Sequence, residues 1–188
     1  MRRGSLAELP PDLPVPLDDG AAAHLVGRIL PALMPASTDG SNVDLSSLPG
    51  WVVVYAYPRT GRPNESPLVE DWDAIPGARG CTPQSCAFRG HDADLRALHA
   101  WVFGLSTQPT EYQREAVERL HLPFPLLSDP DLAYTDVLRL PTFAVAGQTL
   151  LKRLTLIARD GRIEKVFYPV FPPDKNADEV LTWLRQQH

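Results

Sequence analysis

Cysteine is nearly absent from this 188-residue chain: there are only two, Cys81 and Cys86, which excludes a fold held by a framework of several disulfides. Histidine is also sparse, and no second Cys or His pair completes four ligands at recognisable spacing. His91 and His99 beside the cysteines therefore do not make a zinc site, and no metal or other cofactor is expected. No apolar run approaches the roughly 20 residues that cross a bilayer. Met1-Arg2-Arg3 leads to Leu9-Pro10-Pro11 rather than to an apolar signal core, so the expectation is a cytoplasmic protein with no membrane partner. Basic residues do not gather into a stripe, and the net charge is −5 with a pI near 5.5, which gives no footprint for nucleic acid. Internal repeats are lacking too. At 44% hydrophobic content the chain can bury a full core, and its length favours one domain with some decoration.

What the sequence does have is a close pair of thiols in Gly80-Cys81-Thr82-Pro83-Gln84-Ser85-Cys86-Ala87-Phe88-Arg89, directly ahead of a helix-like segment. With Thr82 as the cap and Pro83 in the first helical position, where a missing N–H costs nothing, Cys81 lies at the positive end of the helix dipole. A cysteine of pKa about 8.5 is roughly 3% ionised at neutral pH, whereas one near a helix N-terminus or a cation is mostly ionised. Taken without their context, the two cysteines remain open between redox, catalytic, metal-binding and inert roles.

The first 38 residues read as a proline-rich lead-in containing one helix, around Ala21 to Leu33, with Leu25, Ile29, Leu30 and Leu33 at helical spacing. Asp39-Gly40 marks a turn into a short hairpin with Val43 and Leu45 at the entrance of the main domain, 39–188. Trp51 to Tyr57, apolar and β-branched and stopped by Pro58, reads as a buried central strand. Arg59 to Gly80 carries Pro63, Pro67 and Pro76 and is expected to be a long solvent-facing loop that includes Trp72. A helix follows from Pro83 to about His99, weakened by Gly90, with Gln84 exposed in its first turn. Ala100 to Leu105 and Phe124 to Leu127 are strands, separated by a helix with a Thr110/Gln113 capping box. Leu154 to Ala158 and Ile163 to Phe167 form a hairpin around Asp160-Gly161, and a last helix starts at Asn176 as its cap, with Glu179 three residues on. Strands separated by helices imply parallel pairing and the hairpin adds antiparallel strands, giving an α/β, thioredoxin-like fold: a central mixed β-sheet with helices on both faces.

Several of these runs resemble the peroxiredoxins, and among them the peroxiredoxin Q or bacterioferritin comigratory protein group. They are Tyr57-Pro58, the Cys81 to Arg89 block, Gly104-Leu105-Ser106, Leu122 to Asp129 and Arg153 to Ile157. The resemblance covers roughly Asp39 to Leu184 in the right order. It implies a thiol peroxidase that reduces hydrogen peroxide and organic hydroperoxides, with thioredoxin or a similar dithiol as reductant, working as a monomer or homodimer. By the same resemblance Cys81 is the peroxidatic cysteine and Cys86 the resolving one, Arg153 joins them in catalysis, and Pro58, Thr60 and Thr82 border the substrate. The chain departs from the family pattern of a proline, three residues, a threonine or serine, two residues and the cysteine. The positions seven and three before Cys81 are Ala74 and Ala78, as an insertion after Pro58 would produce, and the missing hydroxyl is then expected from Thr60.

The chemistry sets a requirement on charge. Bringing a thiol from about 8.5 to about 6 takes roughly 3.4 kcal/mol of preference for the ionised form. A helix dipole gives about 0.3 to 1 kcal/mol, or up to about 2 when favourably buried, so a cation must supply the rest. Arg153 fits, because guanidinium stays charged and presents a fork of donors to sulfur and peroxide. Two other classes stay open on the residues alone. One is a thiol-disulfide oxidoreductase, with Leu140-Pro141-Thr142 as a faint echo of its proline loop, although that class usually spaces its cysteines as Cys-x-x-Cys. The other is a non-enzymatic redox-sensing module.

Overall fold

The computed structural model describes residues 5–187; Met1-Arg2-Arg3 of the lead-in, Gly4 and His188 lie outside the described residues. In chain order the strands are β1 (Ala36–Ser37), β2 (Trp51–Ala56), β3 (Ala100–Ser106), β4 (Leu126–Ser128), β5 (Thr142–Val145), β6 (Gln148–Leu151), β7 (Leu154–Arg159) and β8 (Arg162–Phe167). The helices are α1 (Cys81–Gly90), α2 (Asp92–Ala97), α3 (Thr110–Leu120), α4 (Ala133–Leu138) and α5 (Asn176–Arg185).

Six strands form one sheet in the order β1-β4-β3-β2-β7-β8. Pairing is parallel between β2 and β3 and between β3 and β4, and antiparallel for β2 with β7, β7 with β8 and β1 with β4. This is the mixed sheet of a thioredoxin-like fold. The tight β7–β8 connection places Asp160 and Gly161 at φ of 47° and 81°, the left-handed pair that an Asp-Gly hairpin turn supplies.

Strand β2 is buried on both faces, and its alternation divides the interior. Trp51, Val53 and Tyr55, with Tyr57 beyond the strand end, pack against Phe88 of α1, Leu95 of α2, Ala116 and Leu120 of α3 and the apolar face of α5. Val52, Val54 and Ala56 face the other way, onto Ala22, Leu25 and Leu30 of the lead-in and Tyr134 and Leu138 of α4.

The lead-in differs from the expected helix. Residues 21–24 and 26–27 form turns, and the chain then pairs with the sheet: Gly27 donates to the Ile163 carbonyl, Ile163 to Arg28 and Leu30 to Gly161. Gly27 at φ 85° and Pro31 interrupt the helical spacing, while Leu25 and Leu30 still reach the core. Further on, β1 closes the opposite edge of the sheet against β4, and Ala36 bridges back to Asn42 across the Asp39-Gly40 turn. Val43 lies outside any strand and Leu45 opens a 3-10 turn, so the hairpin is shorter than expected.

Three more expectations change. The Pro83–His99 helix is two helices broken at His91, next to Gly90. The Thr110/Gln113 capping box is not formed: Pro109 caps α3, and Gln113 turns inward to donate to the Leu127 carbonyl and Ser128 Oγ. Asn176 is the first residue of α5 rather than its cap, and its side chain is spent on a buried network. Helix α4 and the small β5–β6 hairpin were not anticipated from the sequence; the hairpin holds Thr142, the last residue of the expected proline loop.

Candidate active site

Cys81 opens α1, one residue after Gly80, which caps the helix at φ 113°. Only glycine suits this place, since a Cβ would collide with Pro173 and press on Leu9 Cδ2 at 3.1 Å. The helix thus begins earlier than a Thr82 cap would set it, with Pro83 in the third position, where its missing N–H is still no loss. Cys81 sits inside the first turn, and the N–H groups of Cys81 and Thr82 stand at the end that carries partial positive charge.

Cys81 is 4% exposed and lines a cleft of about 930 Å³ together with Thr82, Arg59, Arg62, Trp72 and Leu120. Arg153, just ahead of β7 and 3% exposed, donates from Nη2 to Cys81 Sγ at 3.2 Å. The same nitrogen lies 3.2 Å from the Gly77 and Ala78 carbonyls and 3.3 Å from that of Arg79. The guanidinium is thereby pinned where negative charge on sulfur, or on an oxygen beside it, meets a fixed cation.

Behind Arg153 stands a relay of neutral groups. Its Nη1 donates to Gln84 Oε1 at 2.5 Å, Gln84 Nε2 donates to Asn176 Oδ1 at 3.1 Å, and Thr155 Oγ1 donates to the same Oδ1 at 2.6 Å. Gln84, Asn176 and Thr155 are fully buried. Gln84 is therefore not the exposed first-turn residue expected; three positions after Cys81, it shares that residue's helix face, which is the signal that could have found it. Asn176 carried no such signal, because a leading Asn reads as a cap.

Tyr55 fixes the middle of α1. Its ring stacks on Phe88 at 4.6 Å between centroids, and its hydroxyl meets Ser85 Oγ at 3.1 Å. Burial pushes the Tyr55 and Tyr57 hydroxyls well above the usual phenol range, so both stay protonated and available as hydrogen-bond donors. Cys86, five residues after Cys81 and half-buried, packs against the same core; both thiols are free.

Thr60 is not at the sulfur. Its N–H and hydroxyl both go to Gln108 Oε1, at 2.7 and 3.2 Å, and it is wholly buried. Pro58 is buried beside it, its carbonyl accepting from Ser106 Oγ at 3.2 Å. Among the described residues, what stands three positions before Cys81 is the carbonyl of Ala78, 3.9 Å from Sγ, with no side-chain hydroxyl beside it. Trp72, expected in a solvent-facing loop, is 7% exposed and forms part of the cleft wall with Ala78 packed against it. His91 pairs with Asp178 at 2.6 Å, away from the cysteines.

A thiol at a helix start, a guanidinium upon it and a second thiol five residues on, carried by this mixed sheet, define a thiol-based redox protein of thioredoxin-like fold. The family described as Redoxin matches residues 25–181. The chain is 31% identical over 170 residues to peroxiredoxin Bcp of Escherichia coli strain K12, covering 85% of this chain and 95% of that protein. It is 30% identical over 160 residues to the chloroplastic peroxiredoxin Q of Suaeda salsa, covering 85% and 67%. The fold is also that of peroxidoxin BcpB from Mycobacterium tuberculosis, with a TM-score of 0.71 at 24% identity over 87% of this chain and 97% of that one. The chain belongs to the peroxiredoxins, the thiol-dependent peroxidases of the Redoxin family.

Proposed function

We propose that Cys81 is the peroxidatic cysteine of a two-cysteine cycle that reduces hydrogen peroxide and organic hydroperoxides. The Cys81 thiolate attacks the terminal peroxide oxygen in line with the O–O bond; the S–O bond forms, the O–O bond breaks, and the departing alkoxide or hydroxide takes up a proton. Arg153 and the free N–H groups at the start of α1 stabilise the charge moving from sulfur to the leaving oxygen. The observation that carries this reading is the 3.2 Å contact from Arg153 Nη2 to Sγ of Cys81, the residue that lines the open cleft.

The sulfenic acid then condenses with the Cys86 thiol, forming the disulfide and releasing water. Residues five apart in a regular helix have Cα atoms about 8.5 Å apart, and a disulfide needs less than about 7 Å. Closure therefore requires the first turn of α1 to unwind. A dithiol such as thioredoxin restores both thiols and leaves as a disulfide. The chemistry belongs to residues 39–188, while the described part of the lead-in, 5–38, braces the sheet and the loop before Cys81. The proposed setting is the cytoplasm, with the chain acting as a monomer or homodimer.

Stopped-flow oxidation by hydrogen peroxide tests the assignment. Cys81→Ser is expected to lose the reaction; Cys86→Ser is expected to form a sulfenic acid that traps dimedone but closes no internal bridge. Equal hydrogen exchange across 82–88 in the reduced and oxidised proteins would contradict the unwinding. Insulin reduction without peroxide turnover would point instead to a thiol-disulfide oxidoreductase.

A further inference from the structure

The relay behind Arg153 ends on an element that carries neither cysteine. We propose that Asn176, at the start of α5, is a positioning residue that sets the balance between peroxide reduction and disulfide closure; this rests on the roles given above to Cys81, Cys86 and Arg153. An amide such as Gln84 can face either way, and its Oε1 reaches Arg153 only while its Nε2 has an acceptor on the other side. Asn176 Oδ1 is that acceptor at 3.1 Å. The Asn176 amide is itself held by Thr155 Oγ1 at 2.6 Å, and Thr155 is anchored in β7, opposite Tyr55 of β2. Among the described residues the buried Asn176 Nδ2 has no partner, so the side chain is fixed through its oxygen.

The same bonds work on two steps with opposite sign. While Gln84 is fixed, Arg153 is held on Cys81 and the thiolate is ready for peroxide. Unwinding the first turn of α1 carries Gln84 away with Cys81, so the Gln84 to Asn176 bond must break before Cys86 can be reached. Loosening Asn176 thus slows sulfenic acid formation and speeds closure. A shorter-lived sulfenic acid is also less exposed to a second peroxide, which would transfer a further oxygen to give the sulfinic acid and release water or an alcohol.

The test is transient kinetics on the full chain, with hydrogen peroxide as oxidant, following sulfenic acid formation and disulfide closure as separate phases. Asn176→Ala is expected to slow the first about tenfold and speed the second about threefold, the range that loss of a single hydrogen bond spans. Mass spectrometry at high peroxide is expected to find less sulfinic acid at Cys81 than in the wild type. Thr155→Val keeps shape and removes only the hydroxyl, so it guards against an alanine variant that fails to fold. It is expected to shift both phases in the same directions by less, and Thr155→Ser to restore them. If both phases slow together, or neither moves, in a folded Thr155→Val protein, Asn176 is merely part of the packing and the inference is overturned. Wild-type Cys81 inert to peroxide would instead overturn the assigned function, and this inference with it.

Discussion

Two buried polar clusters stand where β2 and β3 end, and only one of them touches a reactive atom. The cluster at Cys81 runs from Thr155 through Asn176 and Gln84 to Arg153 and finishes on sulfur. The cluster at Thr60 joins Gln108, Ser106, Gln113 and Tyr57, and finishes on main-chain groups and hydroxyls, with the Tyr57 hydroxyl donating to Gln113 Oε1. Both consist largely of amides and hydroxyls, but only the first includes a guanidinium and leaves a buried amide nitrogen, Asn176 Nδ2, without a partner among the described residues. Neutral clusters satisfy strand ends and hold loops in place. A buried cation costs desolvation that several carbonyl contacts only partly offset, and it gains most where negative charge gathers on a neighbour.

That distinction is open to direct attack. The largest expected effect is Arg153→Ala, which removes the charged donor on Cys81 and lowers the second-order rate of peroxide reduction by about 10²- to 10³-fold, measured by stopped flow. Next comes Gln113→Leu, which leaves Ser128, the Leu127 carbonyl and Tyr57 short of partners. It is expected to cost about 1 to 3 kcal/mol in urea unfolding while the oxidation rate holds. Thr60→Val should be milder, about 1 kcal/mol of stability and a rate within about twofold of wild type, since the Thr60 N–H still reaches Gln108. A Thr60→Val rate that fell as far as that of Arg153→Ala would erase the difference between the clusters.

The smallest effect reaches both regions through Tyr55 and Tyr57. Their folded pKa values lie above the unfolded value of about 10, so only the unfolded chain releases these protons as pH rises past that point. Stability is therefore full below about pH 10 and falls above it, which alkaline titration of unfolding would show, with the fall shallower in Tyr55→Phe.

The sulfur and its cation were legible in the sequence because thiols are rare here and because the resemblance picked out one arginine among many. Central strands showed through their apolar runs, and the β7–β8 turn through its Asp-Gly pair. What stayed hidden was side-chain direction. Gln113 and Asn176 have the chemistry of helix caps, and local sequence does not tell whether an amide turns back on its own backbone or inward to a strand 14 or 21 residues away along the chain. The lead-in misled for a related reason: Leu25, Ile29 and Leu30 fit a helical stripe, but Leu25 and Leu30 serve the core from irregular chain while Ile29 bridges to Arg162. Thr60 was expected at the sulfur on spacing after Pro58, but its N–H and hydroxyl both go to Gln108 Oε1 instead.

The lead-in touches the sheet at both margins, residues 27–30 at the start of β8 and residues 36–37 along β4. Its own chain thus occupies backbone donors and acceptors on which a foreign strand would otherwise template itself. If each cycle melts one turn of helix as proposed, guarded flanks let the opening at Cys81 come and go without offering neighbours a seam along which to polymerise.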